Sequence, residues 1–182
     1  DYFQSSLFTI ARRRILWLLI LVLANGLTTK VIAMNDQILK EIVLLAAFIP
    51  LLIGTGGNVG AQSSTVVIRG LSTQKLKSLG AIKAVVKEAI TGALLGVLMM
   101  LVVFPFAWWQ GEGPLIASAV GISLISITTL AATTGAILPL LFDKMRLDPA
   151  LMSSPFITTV TDIAGVFIYL NTAKWLLGSS LI

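Results

Sequence analysis

The 182-residue sequence contains neither cysteine nor histidine. That removes disulfides, thiolate and imidazole metal ligands, Cys or Ser/His nucleophilic centres and histidine proton relays. Any cation held by this chain must be held by oxygen. Charge is also scarce, with Asp, Glu, Lys and Arg making up 12% of residues against 57% hydrophobic. Uncharged stretches exceed the roughly 20 residues a helix needs to cross hydrocarbon, so the expected class is an all-α, multi-pass membrane protein whose solvent is the lipid bilayer. The net charge of +5 would suggest nucleic acid in a soluble protein, but here the bases sit in short segments between apolar runs, where they set orientation. No nucleic-acid partner is expected. The sequence starts at Asp1 without Met or a signal-peptide succession, and reads as a fragment or processed chain.

Along the chain, Phe3, Leu7, Ile10 and Ala11 stand at helical spacing ahead of three arginines. This predicts a short cytoplasmic amphipathic helix over residues 1–14, leading into a membrane domain over 15–182. Five spans are expected, at about 15–34, 42–68, 89–111, 113–142 and 150–173. Lys30 lies near enough to the end of the first to snorkel, and Trp108 and Trp109 suit a membrane interface. Arg12, Arg13, Arg14, Arg69, Lys75, Lys77, Lys83, Lys87, Lys144 and Arg146 fall on one side of that topology, whereas Lys30, Lys40 and Lys174 fall on the other. The richer side is cytoplasmic, which places the N-terminus inside a cell membrane and the C-terminus outside, in the extracellular or periplasmic space.

Three spans contain polar residues at helical spacing. In the second, Thr55, Asn58, Gln62 and Thr65 step by three, four and three, among Gly54, Gly56, Gly57 and Gly60. Gly56 and Gly60 form a GxxxG that fits helix packing. The clustered amides and hydroxyls fit pore lining, and the paired Gly56 and Gly57 suggest a place where the backbone loosens to expose carbonyls. In the fifth, Ser154, Thr158, Asp162 and Gly165 share a face, with Thr161 beside it. In the fourth, Ser126, Thr129 and Thr133 are expected to act as interhelical glue, and Gly135 with Pro139 to allow a bend.

Asp162 carries the most information. A carboxylate at the centre of a membrane helix costs about 2.5 to 3.5 kcal/mol on insertion scales, so it faces a cavity or a partner. No Lys or Arg occurs within spans two to five to supply that partner. Two readings remain open: a protonated, hydrogen-bonded acid, or a carboxylate whose partner is a mobile cation.

The stretch PLLIGTGGNVGAQSSTVVIRGL from Pro50, together with RLDPALMSSPFITTVTDIAG from Arg146, resembles the MgtE family of Mg²⁺ channels, and the likeness to the family's transmembrane domain covers essentially the whole chain. The resemblance implies a homodimer with the pore between subunits, lined by spans two and five. It implies that Asp162 is the central Mg²⁺ site and that the Thr158 carbonyl helps hold the ion's water shell. It further implies that Asn58 and Gln62 line the pore, and that Asp148 is an ion-binding carboxylate on the cytoplasmic side. The family's soluble N-terminal and CBS regulatory domains are not within these 182 residues, so feedback by Mg²⁺ through them is not expected of this chain. Family members can have Asn where Ser154 stands, so an amide contact there does not carry over.

The chemistry agrees with that resemblance. Mg²⁺ dehydrates reluctantly and prefers octahedral oxygen geometry, so a fast path holds the hydrated ion by its outer waters. A twofold axis along the pore would bring two Asp162 carboxylates to one divalent ion. Similar oxygen sites also suit Mn²⁺ and Co²⁺. The alternative is a proton- or Na⁺-coupled secondary transporter of divalent cations, since a midplane acid near glycines serves either scheme. A non-conducting scaffold held by GxxxG packing is a further rival. An enzyme is not expected, because no nucleophile and base are paired and Asp162 has no carboxylate partner within its own spans.

The distribution of basic residues predicts that a tag at Asp1 is protected in intact cells while one at Ile182 is reached from outside. Labelling of both tags from one side would rule out five spans.

Overall fold

The computed structural model describes residues 7–74 and 80–178. Among them are six α-helices: α1 (Leu7–Ala33), α2 (Asp36–Glu41), α3 (Leu44–Ser72), α4 (Ala81–Ala107), α5 (Gly113–Lys144) and α6 (Pro149–Gly178). A π-helical turn, Trp108–Glu112, joins α4 to α5. Four stretches are long and apolar enough to cross a membrane: Leu44–Ser72, Ala81–Gln110, Gly113–Lys144 and Pro155–Gly178. The apolar part of α1, Leu18–Ala33, is shorter.

No break sets off a lead-in helix from the first apolar run. α1 proceeds from Leu7 straight through Arg12, Arg13 and Arg14, because arginine is a good helix former and no Gly or Pro interrupts before Gly26. The first six residues of the expected lead-in lie outside the described residues, as do Lys75 and Lys77. α1 ends with Lys30 exposed in its last turn, and the short α2 carries an exposed ion pair between Lys40 and Asp36.

The connections are tight and their chemistry is local. At the end of α5, Arg146 takes a left-handed φ of 59°. Leu147 N–H then donates to the Phe142 carbonyl at 2.9 Å, and Arg146 N–H to the Asp143 carbonyl at 3.0 Å. That is the Schellman pattern of a helix stop, and it delivers the chain to Asp148 and to Pro149, the first residue of α6, where a proline's missing N–H costs nothing. Between α4 and α5, Gly113 supplies a φ of 76° that a side chain would resist. Trp108 and Trp109 stand exposed at this turn, and Phe104 meets Trp108 edge to face at 6.0 Å.

α5 is the hub. It packs against α3, α4 and α6, while α1 lies along α6. Buried positions recur along most of α5, including Val120, Leu124, Ile127, Ala131 and Ala136. Between helices in lipid the hydrophobic effect supplies little, so association depends on close van der Waals approach at small residues. The contacts follow that rule. A Cβ on Gly92 would lie 2.5 Å from the Thr128 carbonyl oxygen, and one on Gly96 would lie 2.5 Å from Ile125 Cα. A Cβ on Gly135 would run into the Gly60 carbonyl, so this glycine admits α3.

The hydroxyls of α5 do not join helices. Ser126, Thr129 and Thr133 each donate to the carbonyl four residues back, at 3.2, 2.7 and 2.7 Å, and Thr128 does the same to Leu124 at 2.8 Å. In an apolar medium a hydroxyl takes the nearest strong acceptor, and in a helix that is its own preceding turn.

Gly92→Ala forces backbone apart and is expected to destabilise by about 1 to 3 kcal/mol, in the range of overpacking substitutions. Gly26, with nothing within 4 Å of a built Cβ, should accept Ala with unchanged or higher stability. Thermal unfolding of the detergent-solubilised protein checks both, and equal midpoints for the two variants would contradict the packing argument.

Candidate functional site

The helical period sorts α3 into two faces. Asn58, Gln62 and Thr65 are exposed and Thr55 is half-buried, while Gly56, Val59, Gly60, Ser63, Ser64 and Val67 are buried. α3 remains one α-helix through Gly54, Gly56, Gly57 and Gly60. The expected loosening of its backbone does not occur, because two of these glycines are clamped by neighbouring helices. A Cβ on Gly56 would lie 2.7 Å from Ile127 Cγ2 of α5, and one on Gly60 would lie 2.5 Å from Ile157 Cγ2 of α6.

α6 divides in the same way. Thr158 is exposed and Asp162 half-buried, whereas Ile157, Thr161, Gly165 and Val166 are buried. Gly165, grouped with the polar stripe on spacing, instead lies 3.7 Å from Ile127 at its built Cβ. The side chain of Ser154 is outside the described residues.

The two polar faces meet where the helices cross. Thr161 sits 3.7 Å from a Cβ built on Gly56, and Thr158 Cγ2 sits 3.8 Å from one built on Gly57. Asn58 therefore adjoins the turn of α6 that bears Thr158, and Asp162 follows one turn further on the same face. Asp148, at the other end of α6, is about 20 Å away at 1.5 Å rise per residue. The structure thus sets Thr158 against Gly57, the residue before Asn58, with Asp162 one turn on along α6; it keeps Gln62 on the same face of α3 one turn beyond Asn58, and leaves Asp148 apart, exposed at the helix start.

The turn that presents Asp162 is held by hydroxyls. Thr158 and Thr159 both donate to the Pro155 carbonyl, at 3.0 and 2.9 Å. Thr161 donates to the carbonyls of Ile157 and Thr158, the latter at 3.0 Å. Pro155 lacks an N–H, so the carbonyl four residues before it loses its usual donor. Sequence spacing placed Thr161 next to the stripe, but burial turns it inward, where it supports the backbone behind Thr158 and Asp162.

Among the described residues, Asp162 has no ion-pair partner. Nor do any three Asp, Glu, His or Cys side chains come together there to ligate a metal directly. What one chain offers at this crossing is a single carboxylate, an amide, hydroxyls and helix carbonyls, all oxygen acceptors on a surface that hydrocarbon would penalise. Elsewhere the surface is of the opposite kind, with Leu18, Leu19, Val22 and Leu23 exposed on α1, and Ile82, Val86, Ile90, Leu94, Leu98 and Leu101 on α4.

Comparison with known proteins finds relatives of this chain. The sequence pattern of the MgtE family, described as divalent cation transporters, matches residues 49–172, which contain both polar faces. Relatives called magnesium transporter MgtE are similar over nearly the whole chain: 38% identity to that of Thermus thermophilus over 90% of this chain, 35% to that of Enterococcus faecalis over 90%, and 33% to that of Bacillus subtilis over 94%. The chain spans 36 to 38% of the length of these relatives.

Proposed function

The chain belongs to the MgtE family of divalent cation transporters, and we propose that it is the membrane part of a Mg²⁺ channel whose path runs along the joined polar faces of α3 and α6. The observation that supports this most directly is the placement of the exposed Asn58 and Thr158 and the half-buried Asp162 on the outward faces of helices long enough to span lipid. Such a surface is unfavourable against hydrocarbon and favourable against water or a hydrated ion. In this reading α1 is a fifth span, which gives a cytoplasmic N-terminus and an external C-terminus.

One chain brings a single negative charge to a +2 ion. A second copy related by a twofold axis along the pore supplies the second Asp162 and covers the polar face of the first. Asp162 then holds the ion electrostatically through its outer waters. The Thr158 carbonyl and the side chains of Asn58 and Gln62 accept hydrogen bonds from the same water shell. Asp148 lies at the cytoplasmic mouth, a separate point of cation attraction. Because dehydration of Mg²⁺ is slow and unfavourable, this outer-shell arrangement permits both occupancy and exit. Mn²⁺ and Co²⁺ suit the same oxygens and are expected to permeate.

Asp162→Asn keeps the size of the side chain while removing two charges per dimer from the pore. Mg²⁺ uptake into liposomes is expected to fall at least ~10-fold, equivalent to about 1.4 kcal/mol of lost ion stabilisation, with thermal stability in detergent little changed. Asp162→Glu keeps the charge on a longer side chain, so it should retain stabilisation by Mg²⁺ yet conduct poorly. A dimeric Asp162→Asn protein that transports Mg²⁺ at the parent rate would refute the assignment. Transport strictly tied to a pH or Na⁺ gradient would replace the channel with a coupled carrier.

A further inference from the structure

Three glycines of α3 stand at its crossing with α5 and α6, and their surroundings differ. Gly56 and Gly60 are packing glycines, since a Cβ on either would come within 2.7 Å of Ile127 or Ile157. Gly57 is not. Among the described residues, a Cβ built there meets only Thr158 Cγ2, at 3.8 Å, an ordinary van der Waals distance. Nothing among the described residues excludes alanine, and its φ is not in the left-handed region. Glycine in a helix interior is less favourable than alanine, so intrachain packing gives no reason for it at this position. What Gly57 does adjoin is the exposed turn of Thr158, with Asn58 next in sequence and Asp162 one turn on.

We propose that Gly57 sets the clearance of the ion path beside Thr158, and so determines which size of hydrated cation passes. The inference rests on the function proposed above and adds a specificity-determining residue to it. An ion held by its outer waters needs a lumen wider than the bare ion by a full water layer on each side, and Mg²⁺ gives up that layer with difficulty. A methyl group at residue 57 would occupy space that the water layer requires, without disturbing α5 or α6.

The test compares Gly57→Ala and Gly57→Val with the same substitutions at Gly26, which lies on α1 with nothing within 4 Å of its built Cβ. The Gly26 variants carry the same changes in helix propensity on a different helix, where the added Cβ touches nothing among the described residues. Mg²⁺ flux into liposomes, thermal stability in detergent and oligomeric mass are measured for each. Expected is a graded loss of flux at Gly57, about 10-fold for Ala and to background for Val, with stability and mass matching the Gly26 counterparts and Gly26 flux at the parent level. Parent-level flux in Gly57→Ala would overturn the inference and leave the channel reading intact. Lower stability or altered mass relative to the Gly26 counterparts would also overturn it, by making Gly57 a contact residue. Absence of flux in the parent protein would remove the channel reading itself, and this inference with it.

Discussion

The backbones of α3 and α5 touch at Gly60 and Gly135, and that contact governs the arrangement of the rest. A side chain at Gly135 would separate the two helices, and one at Gly60 would press on Ile157 of α6 and on the Ala131 carbonyl of α5. In lipid the pair has no hydrophobic drive to reassociate at a longer distance, because its surroundings are as apolar as its own surface. The same dependence on close approach holds α4 to α5 through Gly92 and Gly96. α5 can serve as hub because α3 and α4 both reach its backbone, while α6 packs on its Ile127 side chain.

This packing consumes one face of α3 and one of α6, and the polar residues occupy what remains. Gly56, Gly60, Ile157 and Thr161 point into the bundle, so the helical period turns Asn58, Gln62, Thr158 and Asp162 out of it. Apolar surface is concentrated on α1 and α4, which fits contact with hydrocarbon. Hydroxyl side chains satisfy their polarity by bonding to their own helices, as Thr161 does to the carbonyls of Ile157 and Thr158. The turn that bears Thr158 and Asp162 thus has behind it a residue that is itself buried in the bundle.

Oxygen chemistry connects this geometry to the proposed transport. With neither Cys nor His in the chain, and no cluster of three acidic side chains among the described residues, direct multidentate ligation by one chain is not what the crossing provides. A lone carboxylate beside amide, hydroxyl and carbonyl oxygens suits a cation that keeps its waters. Duplication by a twofold axis would balance charge and shield the polar surface in one step.

Much was legible in the sequence. Long uncharged runs establish membrane helices, since composition alone fixes the transfer energy of a span, and spacing alone puts Thr55, Asn58, Gln62 and Thr65 on one side of α3. The isolation of Asp162 from any base in spans two to five was equally plain. Spacing was less informative where neighbours decide. It grouped Gly165 with the polar stripe although Ile127 covers it, suggested a loosened backbone at Gly56 and Gly57 where α3 stays helical, and assigned interhelical bonds to hydroxyls that bond to their own turn. It also gave no means to tell Gly57 from Gly56, identical residues side by side. The sequence by itself determined which residues are polar, how often they recur and what they can ligate, because these are properties of the residue and the helical repeat. Only the tertiary structure decided that a Cβ on Gly56 would run into Ile127 while one on Gly57 would meet Thr158 at an ordinary contact distance, because clearance is set by which helix crosses at that point and how closely the backbones approach.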